Sequence, residues 1–181
     1  MTIARSVRSA GSPRGEWPTN LESFGETARR MGLVSSSRVR RQEVVAATID
    51  EAEELAIVPG MPVLHLERIR MLDGVPIASD WSCLPAGLVP GILEVDFSRH
   101  SLYETLAAAG VHPRRAETTI EAHASDPGVA EDLGIAVESP ILSMRQLATD
   151  GEGHPVLLSR IRYAGDRYRL RTVFARASPG V

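Results

Sequence analysis

The sequence predicts an α+β domain built on one antiparallel sheet with helices packed against it. Three observations lead there. The chain repeats itself at an offset of 78 residues: Ala52-Glu53-Glu54-Leu55-Ala56-Ile57 is echoed by Ala130-Glu131-Asp132-Leu133-Gly134-Ile135, and Pro62-Val63-Leu64-His65-Leu66 by Pro140-Ile141-Leu142-Ser143-Met144. Each copy runs on into Asp-Gly and then Pro-Ile or Pro-Val (Asp73-Gly74 and Pro76-Ile77, Asp150-Gly151 and Pro155-Val156), which reads as strand, turn and return strand. Near the end, Tyr168, Leu170, Thr172 and Phe174 alternate with Arg167, Arg169, Arg171 and Val173, the period of a half-buried strand. Two helix-plus-hairpin halves are too few for a solenoid, so they are expected to share one sheet with helices on one face.

The elements follow in order. Residues 1–20 are rich in turn formers and lack a hydrophobic period, and are read as a flexible tail. From Leu21 the spacing of Phe24, Ala28 and Met31 predicts a helix of three turns, capped by Asn20 and closed by Gly32. A capping box, Thr48-Ile49-Asp50-Glu51, opens a second short helix. On the strand from Val63 to Leu72, alternation puts Leu64, Leu66, Arg68, Arg70 and Leu72 on one face and Val63, His65, Glu67, Ile69 and Met71 on the other. Ser101-Leu102-Tyr103-Glu104 is another capping box, opening a helix that ends near Gly110, and Arg115 to Ala124 reads as a strand. The three arginines at 167, 169 and 171 read as a solvated or edge-protecting row. One domain over residues 21–176, with a short tail at 177–181, suits the length of 181 residues.

Composition excludes several chemistries. All 20 cationic residues are arginine, so phosphate-binding loops that need lysine and Schiff-base chemistry are ruled out. Arginine instead holds carboxylates and phosphates in a planar fork. The single cysteine, Cys83, forbids an internal disulfide and fits an intracellular protein. No signal-peptide pattern or apolar run of membrane-spanning length occurs, so a soluble cytoplasmic protein without membrane contact is expected. A net charge of −3 makes the chain a poor nucleic-acid binder on its own.

Arg68 and Arg70 stand out. At the repeat offset they correspond to Gln146 and Ala148, so the fold does not require the two charges. Two guanidiniums on one strand face can converge on a single anion, or each can pair with a structural carboxylate such as Asp80; the spacing leaves both readings open. Ser101 at a helix start, Tyr103 beside it, and Ser23-Phe24-Gly25 with backbone N–H groups in an early helical turn are further candidate contacts for an anion. The five histidines lack metal-site spacing, and no catalytic or cofactor-binding motif is present, so no metal, cofactor or catalytic residue is assigned.

In order and at suitable distances, Leu66-Glu67-Arg68-Ile69-Arg70, Asp73-Gly74-Val75-Pro76-Ile77, Ser101-Leu102-Tyr103, Leu133-Gly134-Ile135 with Pro140-Ile141-Leu142, and Tyr163-Ala164-Gly165-Asp166-Arg167-Tyr168 resemble one family. It is the UTRA domain, the effector-binding domain of the HutC branch of GntR bacterial transcription regulators. The resemblance covers about Leu21 to Phe174. It implies a chorismate lyase-like fold, an antiparallel sheet flanked by helices with the ligand between them, and a homodimer. It also implies that Arg68, Arg70, Ser101, Tyr103 and Tyr163 hold a small anionic metabolite, a phosphorylated sugar or a carboxylate. In amino-sugar-responsive members an early loop cradling phosphate matches Ser23, Phe24 and Gly25. This sequence departs from those members at Leu157, where they place a glutamate. A winged helix of about 60–70 residues does not fit before Leu21, so DNA contact is expected only through a separate or missing reader domain. The resulting expectation is an effector-sensing, dimerising domain and not an enzyme; the alternative is a chorismate lyase-like enzyme acting on a small carboxylate.

Overall fold

The computed structural model describes residues 23–170 and the backbone of residues 15–17. The strands are β1 (Gly15–Trp17), β2 (Ser35–Ala46), β3 (Pro62–Leu72), β4 (Val75–Pro85), β5 (Arg115–Ala124), β6 (Pro140–Thr149), β7 (Pro155–Ala164) and β8 (Tyr168–Leu170). The helices are α1 (Phe24–Arg30), α2 (Ile49–Leu55), α3 (Leu102–Ala108) and α4 (Pro127–Leu133). Six strands form one antiparallel sheet in the order β2-β3-β4-β7-β6-β5. That order reads the same for the two halves outward from the β4–β7 seam. Each half is therefore strand, helix and hairpin: β2-α2-β3-β4 and β5-α4-β6-β7. The repeat in the sequence marks the helix and hairpin; β2, whose polar, arginine-rich pattern hides its strand character, is found only in the structure.

The hairpins share their bulges but not their turns, since the second closes through a longer loop with its left-handed residue at Gly153. Asp73 and Gly74 take φ of 47° and 78°, the left-handed pair of a two-residue turn. One residue on each return strand is bulged out, Ile77 between the pairs Arg70↔Ala78 and Met71↔Pro76, and Val156 between Ala148↔Leu157 and Thr149↔Pro155. The repeated Pro-Ile and Pro-Val dipeptides thus encode matching bulges.

Helices cover both faces of the sheet, not one as the sequence suggested. Neighbouring residues show why. Val63, Cys83 and Leu158 pack with Ala52 and Leu55 of α2, whereas Leu64, Leu84 and Leu157 pack with Leu102 and Leu106 of α3. Helix α4 joins the α2 face through Val129 and Leu133 against Ile141 and Ala164, and α1 joins the α3 face through Ala28 against Ala78 and Tyr163. Adjacent apolar pairs such as Val63-Leu64 and Leu157-Leu158 are the signature of strands buried on both faces.

Other boundaries move. The cap of α1 is Ser23, whose hydroxyl accepts the Glu26 N–H at 3.2 Å while the Glu26 carboxylate accepts the Ser23 N–H at 2.7 Å. The expected start at Asn20 and Leu21 lies outside the described residues, as do residues 1–14 and 171–181. Gly15–Trp17, within the segment read as a tail, pair in parallel with β8. Arg167 is not part of a solvated row: it donates to the carbonyls of Pro76 (2.7 Å), Leu133 (2.6 Å) and Gly134 (3.3 Å), tying the end of α4 to β4. Among the described residues no helix is long and apolar enough to cross a membrane.

The repeat supplies a stability test. Helix α2 ends on Ala56 with φ of 52°, while α4 ends on Gly134 with φ of 60°. An L side chain is strained there and glycine is not. Ala56→Gly is expected to raise unfolding stability by roughly 0.5–1 kcal/mol and Gly134→Ala to lower it by about 1 kcal/mol, read from urea unfolding midpoints.

Candidate functional site

A cavity of about 450 Å³ lies between the α3-facing side of the sheet and a wall made by α1, α3 and β8. Strand register determines its floor. One row across the sheet runs Arg68, Asp80, Ile161, Met144, Ile120. The next supplies Ser82, Ser159, Gln146 and Thr118. Ser23, Phe24 and Thr27 of the α1 region, Ser101 and Tyr103 of the α3 region, and Tyr168 of β8 complete the lining.

Its charged end belongs to the first half of the chain. Arg68, Arg70 and Asp80 are 4%, 8% and 7% exposed, so two cations and one anion are withdrawn from water together. Arg68 Nη2 donates to Asp80 Oδ2 at 2.6 Å, and Ser82 Oγ donates to Asp80 Oδ1 at 3.1 Å, so both oxygens of the carboxylate are engaged. Arg68 Nε and Nη1 are nevertheless buried without a hydrogen-bond partner, as is Arg70 Nε. Among the described residues Arg70 has no carboxylate at ion-pair distance; its guanidinium lies over the Phe24 ring at 4.5 Å. Burial, then repulsion from Arg68, pulls Arg70 down to about 9. The two sequence readings are thus divided: Arg68 has its structural carboxylate, and Arg70 has none among the described residues.

The opposite end is neutral. Tyr103 Oη donates to Gln146 Oε1 at 3.3 Å, and Gln146 Nε2 donates to Thr118 Oγ1 at 3.1 Å. Gln146, the repeat counterpart of Arg68, therefore lines the same cavity. Tyr163 stacks on Tyr168 with ring centroids 3.8 Å apart. Burial, then Asp80, raises Tyr103 to about 12, and burial holds Tyr163 well above the ordinary range, so both phenols stay neutral.

Arg68, Arg70, Ser101, Tyr103, Tyr163, Ser23 and Phe24 all line this cavity; Gly25 does not. The Ser23 N–H and the Glu26 N–H are taken by the capping box, and Ser101 Oγ accepts the Glu104 N–H at 3.4 Å. Leu157 is a core residue packed with Ala148, outside the cavity. Sequence reasoning missed Ser82, Ser159, Gln146 and Thr118 as cavity residues, because their common face depends on the β4–β7 and β5–β6 pairings, which no local pattern announces. On the other face, Glu51, His65 and Cys83 bring potential metal-ligand atoms within 4.8 Å of one another, a grouping invisible in their spacing.

The UTRA domain family model matches residues 30–169. The chain is 29% identical over 167 residues to the HTH-type transcriptional repressor PhnF of Mycolicibacterium smegmatis, a match covering 89% of this chain and 66% of that protein. It is 27% identical over 127 residues to the HTH-type transcriptional regulator GgaR of Escherichia coli, covering 70% of this chain and 50% of that protein. The chain thus spans between half and two thirds of these curated relatives. The crystal structure of the effector domain of PhnF from Mycobacterium smegmatis superimposes with a TM-score of 0.84 at 27% identity, covering 89% of this chain and 99% of that one.

The unequal pairing of the arginines yields opposite stability effects. Removing one partner of a buried pair strands the other, whereas removing an unpaired buried charge relieves a cost. In phosphate-free buffer, Arg68→Met is expected to lower unfolding stability by about 3 kcal/mol, and Arg70→Met to raise it by about 1–2 kcal/mol, compared by urea denaturation.

Proposed function

This chain belongs to the UTRA domain family of GntR-type regulators, and from that premise we propose that it senses a small anionic metabolite and modulates a regulator's contact with DNA. The relatives are regulators or their effector domains, not enzymes. One observation carries the anionic character: the cavity withdraws two guanidiniums and a single carboxylate from water, leaving one positive charge in excess. An anion seated between Arg68 and Arg70 supplies that countercharge. It also gives acceptors to the unpartnered Arg68 Nε, Arg68 Nη1 and Arg70 Nε.

The volume suits a small metabolite, since such sites occupy roughly 300–1,000 Å³. The charged end fixes a phosphate or carboxylate. Across the cavity, Gln146, Thr118, Ser159 and Tyr103 offer neutral hydrogen-bonding groups for hydroxyls, so a phosphorylated sugar or a hydroxylated carboxylate fits both ends. The Phe24 and Tyr168 rings give the body of the ligand apolar contact.

The signal leaves through the walls. Helices α1 and α3 both border the cavity and are bridged by Arg29 and Glu104 at 3.2 Å, an exposed pair of small energetic worth. A ligand that draws both helices onto the sheet shifts their populations by its differential affinity for the closed arrangement. We assign a homodimer as the assembly that reads this shift, and operator contact to a winged-helix region outside the span matched here.

Calorimetric titration of the purified domain with phosphorylated sugars and small hydroxy acids tests the reading. Arg70→Ala is expected to weaken the best ligand at least 100-fold, as loss of a charge-assisted contact in a desolvated site does; an unchanged affinity would sink the assignment. The pH dependence separates the two anion classes. A phosphomonoester loses its second charge below pH ~6, so its affinity falls there, whereas a carboxylate holds its affinity down to about pH 4.

A further inference from the structure

The face of β3–β4 turned away from the cavity carries the Glu51, His65 and Cys83 cluster. His65 and Cys83 are directly opposed on the two strands, and Glu51 reaches down from the first turn of α2. They are 9%, 0% and 8% exposed for His65, Cys83 and Glu51 respectively. Nε2 of His65 lies 2.8 Å from Glu51 Oε1, whereas Nδ1 is buried without a hydrogen-bond partner. A buried imidazole with one ring nitrogen unpartnered is an exception that calls for a further partner. Glu51 is already oriented: its Oε2 accepts the Thr48 N–H at 2.9 Å, which leaves Oε1 directed at His65.

We propose that Glu51, His65 and Cys83 form a binding site for one borderline-soft divalent cation of the zinc class. Nitrogen, sulfur and carboxylate oxygen are the donors such an ion takes. With metal–ligand lengths of ~2.0–2.3 Å, tetrahedral donors sit about 3.3–3.7 Å apart. The cluster holds one pair of donors at 2.8 Å and all of them within 4.8 Å, so side-chain shifts of about an ångström bring it to that geometry. The thiol gives its proton to solvent as it binds, and water takes the fourth position. The Thr48 N–H holds the carboxylate, the outer-shell support that ligating groups require. Glu51 and His65 each keep about a tenth of their side-chain surface exposed (10% and 11%), giving the ion a route in. The second half serves as a control, because the corresponding positions are Val129, Ser143 and Arg162, which form no ligand set.

The ion would tie α2 to the first hairpin, independently of any anion in the cavity. Cobalt(II) reports the site, since a thiolate ligand gives a charge-transfer band in the near ultraviolet and the chain has one cysteine. Titration of the reduced, purified chain is expected to produce that band at one equivalent and to lose it on adding zinc. Cys83→Ala should abolish the band, and Glu51→Gln should weaken binding at least tenfold. Absence of the band in the wild type at excess cobalt would overturn the site, as would undiminished affinity in both Glu51→Gln and His65→Ala. Should Cys83→Ala fail to fold by circular dichroism, the wild-type spectrum with Glu51→Gln decides alone.

Discussion

The pairing of β4 with β7 is the contact on which the cavity depends. Six residue pairs, from Ala78↔Tyr163 to Cys83↔Leu158, join two halves that would otherwise be separate three-stranded units. Across this seam Asp80 meets Ile161 and Ser82 meets Ser159, so the charged hairpin and its neutral counterpart present one continuous floor. Neither half alone could enclose the volume. The seam is central and both its faces are covered, so a shift in its register would bury polar groups against helices and is strongly disfavoured.

On that symmetrical frame the chemistry is lopsided. Arg68 and Arg70 face Gln146 and Ala148 in the repeat, and the consequences differ for each. Gln146 preserves a polar contact to the cavity and closes a neutral chain from Tyr103 to Thr118. Ala148 disappears into the apolar cluster with Leu157. The excess positive charge is thereby concentrated at one end, which gives a bound molecule a direction. A cavity with guanidiniums at both ends would hold a dianion without orienting it.

Much of this fold was legible in the sequence because local rules governed it. The capping box at Thr48, the one-way cap at Ser101 (whose Glu104 does not return the bond), the Asp73-Gly74 turn and the Arg115–Ala124 strand are set by residues within a few positions of one another, and the UTRA resemblance was carried by short motifs in fixed order. What escaped depended on distant partners. Strand β2 is a polar edge strand stabilised by its pairing with β3, Arg167 finds its carbonyl acceptors on α4 and β4, and helices occupy both faces. The missed capping box at Ser23-Phe24-Gly25-Glu26 is different: its signal was local, and the helical spacing that begins at Leu21 obscured it. For the cavity, alternation placed both arginines on one face, yet only the register across to Asp80 shows which is paired.

The first hairpin presents distinct chemistry on its two faces, and the strand period alone keeps them apart. From Leu64 to Arg70, β3 pairs with β4 without interruption, so Leu64, Leu66, Arg68 and Arg70 share the cavity side while His65 and Glu67 point the other way. The bulge at Ile77 falls after Arg70, toward the turn. The extra residue sits on β4, so a bulge placed between Ala78 and Asp80 would break the alternation of that strand and turn Asp80 away from Arg68. Leu64, Leu66 and Leu84, fully buried against α3 and its surroundings, pin the register from the other end. The side chains that hold the guanidiniums together on one face are therefore leucines two and four residues away. The excess charge is tolerable in the fold because the apolar burial of those leucines fixes where it must lie.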